Sequence, residues 1–238
     1  MPTFTCLNNA RNCNQNAITA LKPVEIKPIT ESITSVYPKH NFNRGLSLKN
    51  YQHWYEGNVP KGKNPDGIKY SEMKLGKRGC APSTYLMAQA LIEPDFKVGI
   101  DEYKKAIDGM GTDKTGTTLD KIGTYAQTQL GENHYGLINT ADREKTKTAI
   151  QMILDKDKPI IVNVRVKGTS IVEKGGENHV VVLYSLTQNP NRGTVYYLDP
   201  LEKDPKKGKK KIDYTKLLNS MKASGEYYLQ PIGLFKNS

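Results

Sequence analysis

A cysteine preceded by a glycine and followed by a helix-forming run stands in Gly79-Cys80-Ala81-Pro82-Ser83-Thr84-Tyr85-Leu86-Met87-Ala88-Gln89-Ala90-Leu91. Leu86, Met87, Ala90 and Leu91 recur at helical spacing, which predicts a helix over 80–92. Pro82 is tolerated in a first helical turn, where its missing N–H loses nothing. Cys80 therefore falls at or just before a helix N-terminus, where unpaired N–H groups and the partial positive charge favour a thiolate. Such a setting lowers a thiol from about 8.5 into the range of roughly 3.5–7.5. Lys77 and Arg78 add positive charge on the approach. Taken alone, the same cysteine also reads as a small buried thiol on a core helix.

Two later residues complete a chemistry. His179 opens a valine-rich run in Gly175-Gly176-Glu177-Asn178-His179-Val180-Val181-Val182, and Asp199 ends a second run in Tyr196-Tyr197-Leu198-Asp199-Pro200. If the two runs form a hairpin, His179 and Asp199 lie at the same end of it. The aspartate would then hold one ring nitrogen while the other faces a cysteine on a helix packed across the sheet. Alone, His179 reads as a core histidine and Asp199 as an Asp-Pro turn. Together with Cys80 they read as nucleophile, base and orienter. A thiolate–imidazolium pair at rest would give a bell-shaped pH profile, its acid limb from Cys80 and its basic limb from His179.

The elements that must position these residues follow from periodicity and turn signals. Helices are predicted over 80–92, over 101–110 with Asp101 as a cap, over 117–130 ended by Gly131, and over 141–154. Strands are predicted over 158–166, 178–186 and 194–198, with a turn at 189–193 between the last two. A short helix over 212–221 and a final strand over 227–235 close the chain. Helices first and a largely antiparallel sheet afterwards is an α+β layout. Residues 1–64 read as an irregular N-terminal extension, broken by Pro23, Pro28, Pro38 and Pro60, with one short helix over 46–55. Residues 65–238 form the catalytic unit. Tyr51, Trp54 and Tyr55 offer an apolar anchor. The first 40 residues or so are expected to be dispensable for folding, and 46–64 to pack near the cleft, where they would limit access to Cys80.

Composition narrows the classes further. The chain has 238 residues, of which 37% are hydrophobic. No run approaches the roughly 18 apolar residues of a membrane span. The start, Met1-Pro2-Thr3-Phe4-Thr5-Cys6, has no basic segment leading into an apolar one, so no signal peptide is evident. Location is left open, secretion included. Cys6 and Cys13 are near neighbours and either pair or stay reduced. Net charge is +11, and Lys203 to Lys211 holds six lysines and one aspartate. Without interleaved aromatics or arginines, that run reads as a solvated loop and not a nucleic-acid site. His40, His53 and His134 show no metal-ligand spacing, and the 108–114 stretch lacks the alternating carboxylates of a calcium loop. No metal and no cofactor are expected, and 108–114 reads as a connector.

Gly-Cys-Ala-Pro-Ser before a helix, then Asn-His-Val-Val-Val, then Tyr-Leu-Asp-Pro resemble the papain-like cysteine peptidases. The nearest resemblance is to the bacteriocin-processing (double-glycine) peptidase-like and staphopain-like bacterial branches, and it covers roughly 65–238. The separations, 99 residues from Cys80 to His179 and 20 from His179 to Asp199, suit these compact members. The resemblance implies a papain-like fold, with an N-terminal helical half that carries the nucleophile packed on a C-terminal sheet. It implies Cys80 as nucleophile, His179 as general base and acid, Asp199 as orienter, and a protein or peptide substrate. It also implies an inhibitor or immunity protein as a partner. Relatives of effector or toxin type use the same residues for deamidation or acyl transfer, and an inactive binding module is a further alternative. Two positions depart from the family pattern. Lys74 stands where an oxyanion-donating glutamine is usual, six residues before the cysteine, and Ala81 replaces the aromatic residue that often follows it. Gln52, Asn58 and Asn64 are upstream alternatives for the donor, beside the backbone N–H of Cys80.

Overall fold

The computed structural model describes residues 51–93, 95–130, 138–187, 193–204, 207 and 209–233. After 3₁₀ turns at Gln52–Glu56 and Tyr70–Glu72 come four helices: α1 (Leu75–Arg78), α2 (Cys80–Ile92), α3 (Ile100–Gly109) and α4 (Leu119–Leu130). The second half holds β1 (Ile138–Thr140), α5 (Arg143–Leu154), β2 (Ile160–Lys167), β3 (Ser170–Ile171) and β4 (Glu177–Thr187). It continues with β5 (Thr194–Leu198), β6 (Lys209–Asp213), α6 (Tyr214–Ala223) and β7 (Tyr227–Pro231). All named strand pairs are antiparallel, in the order β1-β7-β2-β4-β5-β6, with β3 folded back on β2. The α+β expectation holds.

Both faces of the sheet are covered at its centre, which explains the largely apolar runs of β2 and β4. Ile161, Val180, Val182 and Leu198 join the core shared with α2, α3 and α4. Ile160, Val162, Val164, Val181 and Leu183 join the opposite core with α5 and α6. Successive side chains of a strand point to opposite faces, so a doubly buried strand needs branched apolar residues at every position. Each such side chain contributes roughly 1.5–3 kcal/mol on burial.

The central helix α2 shows the same logic in helical form. Cys80 to Ala88 and Ala90 are all buried, including Ser83 and Thr84. A helix apolar or small-residued all round is an interior helix. The Thr84 hydroxyl donates to the Cys80 carbonyl and the Ser83 N–H donates to the Gly79 carbonyl at 3.1 Å, while the buried Tyr85 hydroxyl has no hydrogen-bond partner among the described residues.

Local chemistry sets the boundaries, in places differently from the sequence expectation. Asp142 accepts from the Glu144 and Lys145 N–H groups and starts α5. Asp213 accepts from the Lys216 N–H and starts α6. Asp101, expected to cap α3, lies inside its first turn. Gly99 is the N-cap, and its N–H donates to Glu102 at 2.9 Å. The lysine run corrects the reading as a loop: Lys209–Asp213 forms the edge strand β6, paired with β5. Lysines on an edge strand keep it from pairing with other chains, so a charged run and a strand are compatible there. The short strands β1 and β3 carry too few residues to show an alternation. Asp108, in the stretch read as a connector, accepts the Tyr70 hydroxyl at 2.7 Å, and Asp113 accepts from the Thr115 N–H and hydroxyl. The Cys6–Cys13 pair, the 46–50 part of the first expected helix, the tip of the 189–193 turn and the end of the last strand lie outside the described residues. Among the described residues no helix is long and apolar enough to cross a membrane.

The segment from Tyr51 is part of the fold. Tyr51 and Tyr55 are buried in the helical core, and Tyr55 stacks on Tyr103. Lys63 bridges to Lys69 across the expected 64/65 boundary.

Candidate active site

Cys80 is the first residue of α2, with Gly79 as its N-cap. The glycine is there for space. A Cβ on Gly79 would sit 2.0 Å from the Tyr103 hydroxyl oxygen and 2.6 Å from the Leu75 carbonyl oxygen. The Tyr103 hydroxyl itself donates to the Gly79 carbonyl at 3.4 Å. Tyr103 on α3 thus presses directly on the turn that presents the cysteine. Gly79→Ala is expected to destabilise the protein by about 1–3 kcal/mol through this overpacking. A thermal melt should read it as a loss of several degrees. An unchanged melting temperature would show that Tyr103 moves aside freely.

His179 is the third residue of β4 and lies opposite Val164 of β2. Asp199 follows the last residue of β5. β4 and β5 form the expected hairpin, with Val182 opposite Leu198 and Thr187 opposite Thr194. The result is a buried pair: His179 Nε2 lies 2.8 Å from Asp199 Oδ1, with His179 3% and Asp199 0% exposed. The nitrogen left for a thiol is Nδ1.

Asp199 is held by more than the histidine. Its Oδ1 also accepts the Leu201 N–H at 2.9 Å, and Lys210 Nζ lies 3.5 Å from Oδ2. Burial pushes the Asp199 carboxyl up, but His179, the Leu201 N–H and the Lys210 ammonium together outweigh burial and hold it below the usual carboxylate value. Lys210 is also 3.1 Å from Glu202 Oε2 and donates to the Thr169 carbonyl at 2.7 Å. It thereby ties the aspartate to the β2–β3 turn. Sequence reasoning missed Lys210 because it sits inside a lysine run, where only the strand register separates it from Lys209 and Lys211. Lys210 is partly buried while both neighbours are exposed.

Cys80 and His179 line one cleft of about 860 Å³, together with His53, Glu56, Gly76, Lys77, Arg78, Asn178 and Glu202. Cys80 is disulfide-bonded. A sulfur in a disulfide is no nucleophile until a thiol reductant releases it.

The oxyanion candidates fall out differently from expectation. Lys74 is exposed, takes a left-handed backbone conformation (φ 53°) ahead of α1, and is not among the cleft-lining residues. Gln52 is fully buried, and its amide donates to the Gly76 carbonyl at 2.9 Å. Its backbone N–H donates to the Pro200 carbonyl at 3.0 Å. Gln52 thus straps the chain just before the cysteine to the chain just after the aspartate. The Asn58 amide donates to the Trp54 carbonyl, and Asn64 accepts the Ile68 N–H, so both serve local turns. Arg78 and Asn178, each adjacent in sequence to a candidate residue or one removed from it, are among the polar side chains that line the cleft.

The sequence model of the Peptidase_C39 like family matches residues 58–229. The chain belongs to this family. Cys80, His179 and Asp199 all fall within the matched span, and the family is one of cysteine peptidases. No curated protein matches the chain. Among solved structures, the Amb a 11 cysteine protease of ragweed pollen in its proform is 16% identical with a TM-score of 0.46, covering 78% of this chain and 59% of that one. A second structure of the same proform is 14% identical with a TM-score of 0.45, covering 82% of this chain and 70% of that one. Digestive procathepsin L2 proteinase from the larval midgut of Tenebrio molitor is 11% identical with a TM-score of 0.43, covering 76% and 67%.

Proposed function

We propose that this member of the Peptidase_C39 like family is a thiol-dependent hydrolase of peptide bonds in which Cys80 is the nucleophile, His179 the base and acid, and Asp199 the orienter. The observation that carries the reading is the buried 2.8 Å contact between His179 Nε2 and Asp199 Oδ1 in the cleft that Cys80 also lines. Asp199 fixes the ring orientation and leaves Nδ1 to exchange a proton with the thiol. A thiol reductant first exchanges with the Cys80 disulfide, releasing both of its sulfurs as thiols while the reductant itself becomes a disulfide. The thiolate then adds to the scissile carbonyl carbon while the carbonyl oxygen takes the negative charge, and the position of Cys80 at the start of α2 supports its N–H as the donor that receives it. The C–N bond breaks as the His179 imidazolium gives its proton to the departing amine. Water, deprotonated by His179, hydrolyses the thioester and returns the thiol.

Intact-mass analysis of a denatured protein panel, incubated with the reduced chain, tests this reading. The expected result is paired fragments whose masses sum to substrate plus one water. A changed mass on an uncut chain would instead assign deamidation or acyl transfer to the same residues, and no change in any substrate would favour a binding module.

A further inference from the structure

Five basic side chains line the cleft that holds Cys80 and His179. Lys77 and Arg78 belong to α1, immediately before the cysteine, while Lys167 ends β2 and Lys174 follows β3 on the histidine side. Lys203 follows Asp199. Among the described residues none of the five is ion-paired with a carboxylate. Three acids share the cleft. Glu202 is matched by Lys210 at 3.1 Å, and Glu56 lies 3.2 Å from the His53 ring. Only Glu177 among these three lacks such a partner within the described residues.

The cleft therefore carries uncompensated positive charge on both walls, with the site of bond cleavage between them. We propose that it selects peptide substrates carrying acidic side chains near the scissile bond; the proposal rests on the hydrolase reading above. A groove lined by one sign of charge focuses its field and raises the local concentration of oppositely charged ligand. Complementary charge acts mainly on encounter rate and on discrimination between ligands. Exposed cations contribute little singly, so selection of this kind needs several of them and must weaken in salt. Arg78 adds a planar fork suited to a carboxylate, where the lysines act as point charges.

The test uses the full chain carrying Cys80→Ala, so that binding is read without turnover. A fluorescent acidic peptide is compared with its counterpart in which every Glu and Asp is replaced by the amide. Fluorescence anisotropy should show the acidic peptide bound roughly tenfold more tightly at low ionic strength. The gap should close as added salt shortens the screening length from about 10 Å towards about 3 Å. Adding Lys167→Glu and Lys174→Glu should narrow the gap at low salt. Equal affinities at low salt would overturn the proposal, as would a gap that survives charge reversal. So would displacement of the peptide by an oligonucleotide of equal charge as readily as by unlabelled peptide. A reduced wild-type chain that prefers the acidic peptide yet cleaves neither would overturn the hydrolase reading and leave the charge selection standing.

Discussion

Cys80→Ala and Cys80→Ser are each expected to abolish turnover while the protein stays folded. The cost should be on the order of a million-fold, as when the nucleophile of an acyl-transfer triad is lost. The sulfur is the only atom at the start of α2 whose removal leaves no nucleophile. The serine oxygen, far less acidic than a thiol, is a poor substitute beside a histidine placed for a cysteine. Cys80 is small and 1% exposed, so alanine and serine fit its site, and because each also removes the disulfide the reference is the reduced wild-type chain. A thermal melt and a circular dichroism spectrum, run beside the activity assay, separate lost chemistry from lost structure. The disulfide adds a second expectation. Wild-type chain should be inactive as isolated under oxidising conditions and gain activity with a thiol reductant, in step with the appearance of one alkylatable sulfur at Cys80. Full activity without reductant would show that Cys80 is not blocked by a disulfide, and wild-type turnover in either variant would end the thiol mechanism.

His179→Ala is expected to cost nearly as much as loss of Cys80, and the double variant no more than either alone. Nucleophile and base act as one unit, so removing the second after the first removes nothing further. Asp199→Ala should be milder, on the order of 10²–10⁴-fold, because an orienter forms no bond to substrate. Asp199 is held below the usual carboxylate value, so it stays ionised through neutral and mildly acidic pH. Its stabilising contribution is present in full above the unfolded carboxylate value. It is lost as pH falls through the folded value, which lies below the ordinary carboxylate value. The acid limb of the activity profile should therefore survive in Asp199→Asn and shift only if the thiol–imidazole pair itself changes. Additive losses in the double variant would mean that Cys80 and His179 do not act together. An Asp199→Ala loss equal to that of Cys80→Ala, with Asp199→Asn indistinguishable from wild type, would make Asp199 a purely structural residue.

Several features were legible in the amino-acid sequence because each depends on neighbouring residues. The Gly79-Cys80 junction at a helix start follows from local helix physics, and α2 begins at Cys80. The β4–β5 hairpin follows from two β-branched and aromatic runs flanking a turn signal, and it brings together His179 and Asp199, 20 residues apart. Local sequence pattern placed the starts of α2 to α6 within two residues, although the one cap it named, Asp101, lies inside α3. Other features were decided only by tertiary structure. That Gly79 cannot become alanine depends on Tyr103, 24 residues later, resting against it. That Gln52 joins the cysteine side of the site to the aspartate side depends on chain segments that meet only in the fold. The lysine run shows the limit most sharply. Lys209, Lys210 and Lys211 are the same letter three times, and propensity ranks them alike. Pairing of β6 with β5 turns the middle one inward to Asp199, Glu202 and the Thr169 carbonyl and leaves its neighbours in water. Side chains alternate faces along a strand, and which lysine takes the inner face is fixed by register against another strand, which no property of the run itself contains.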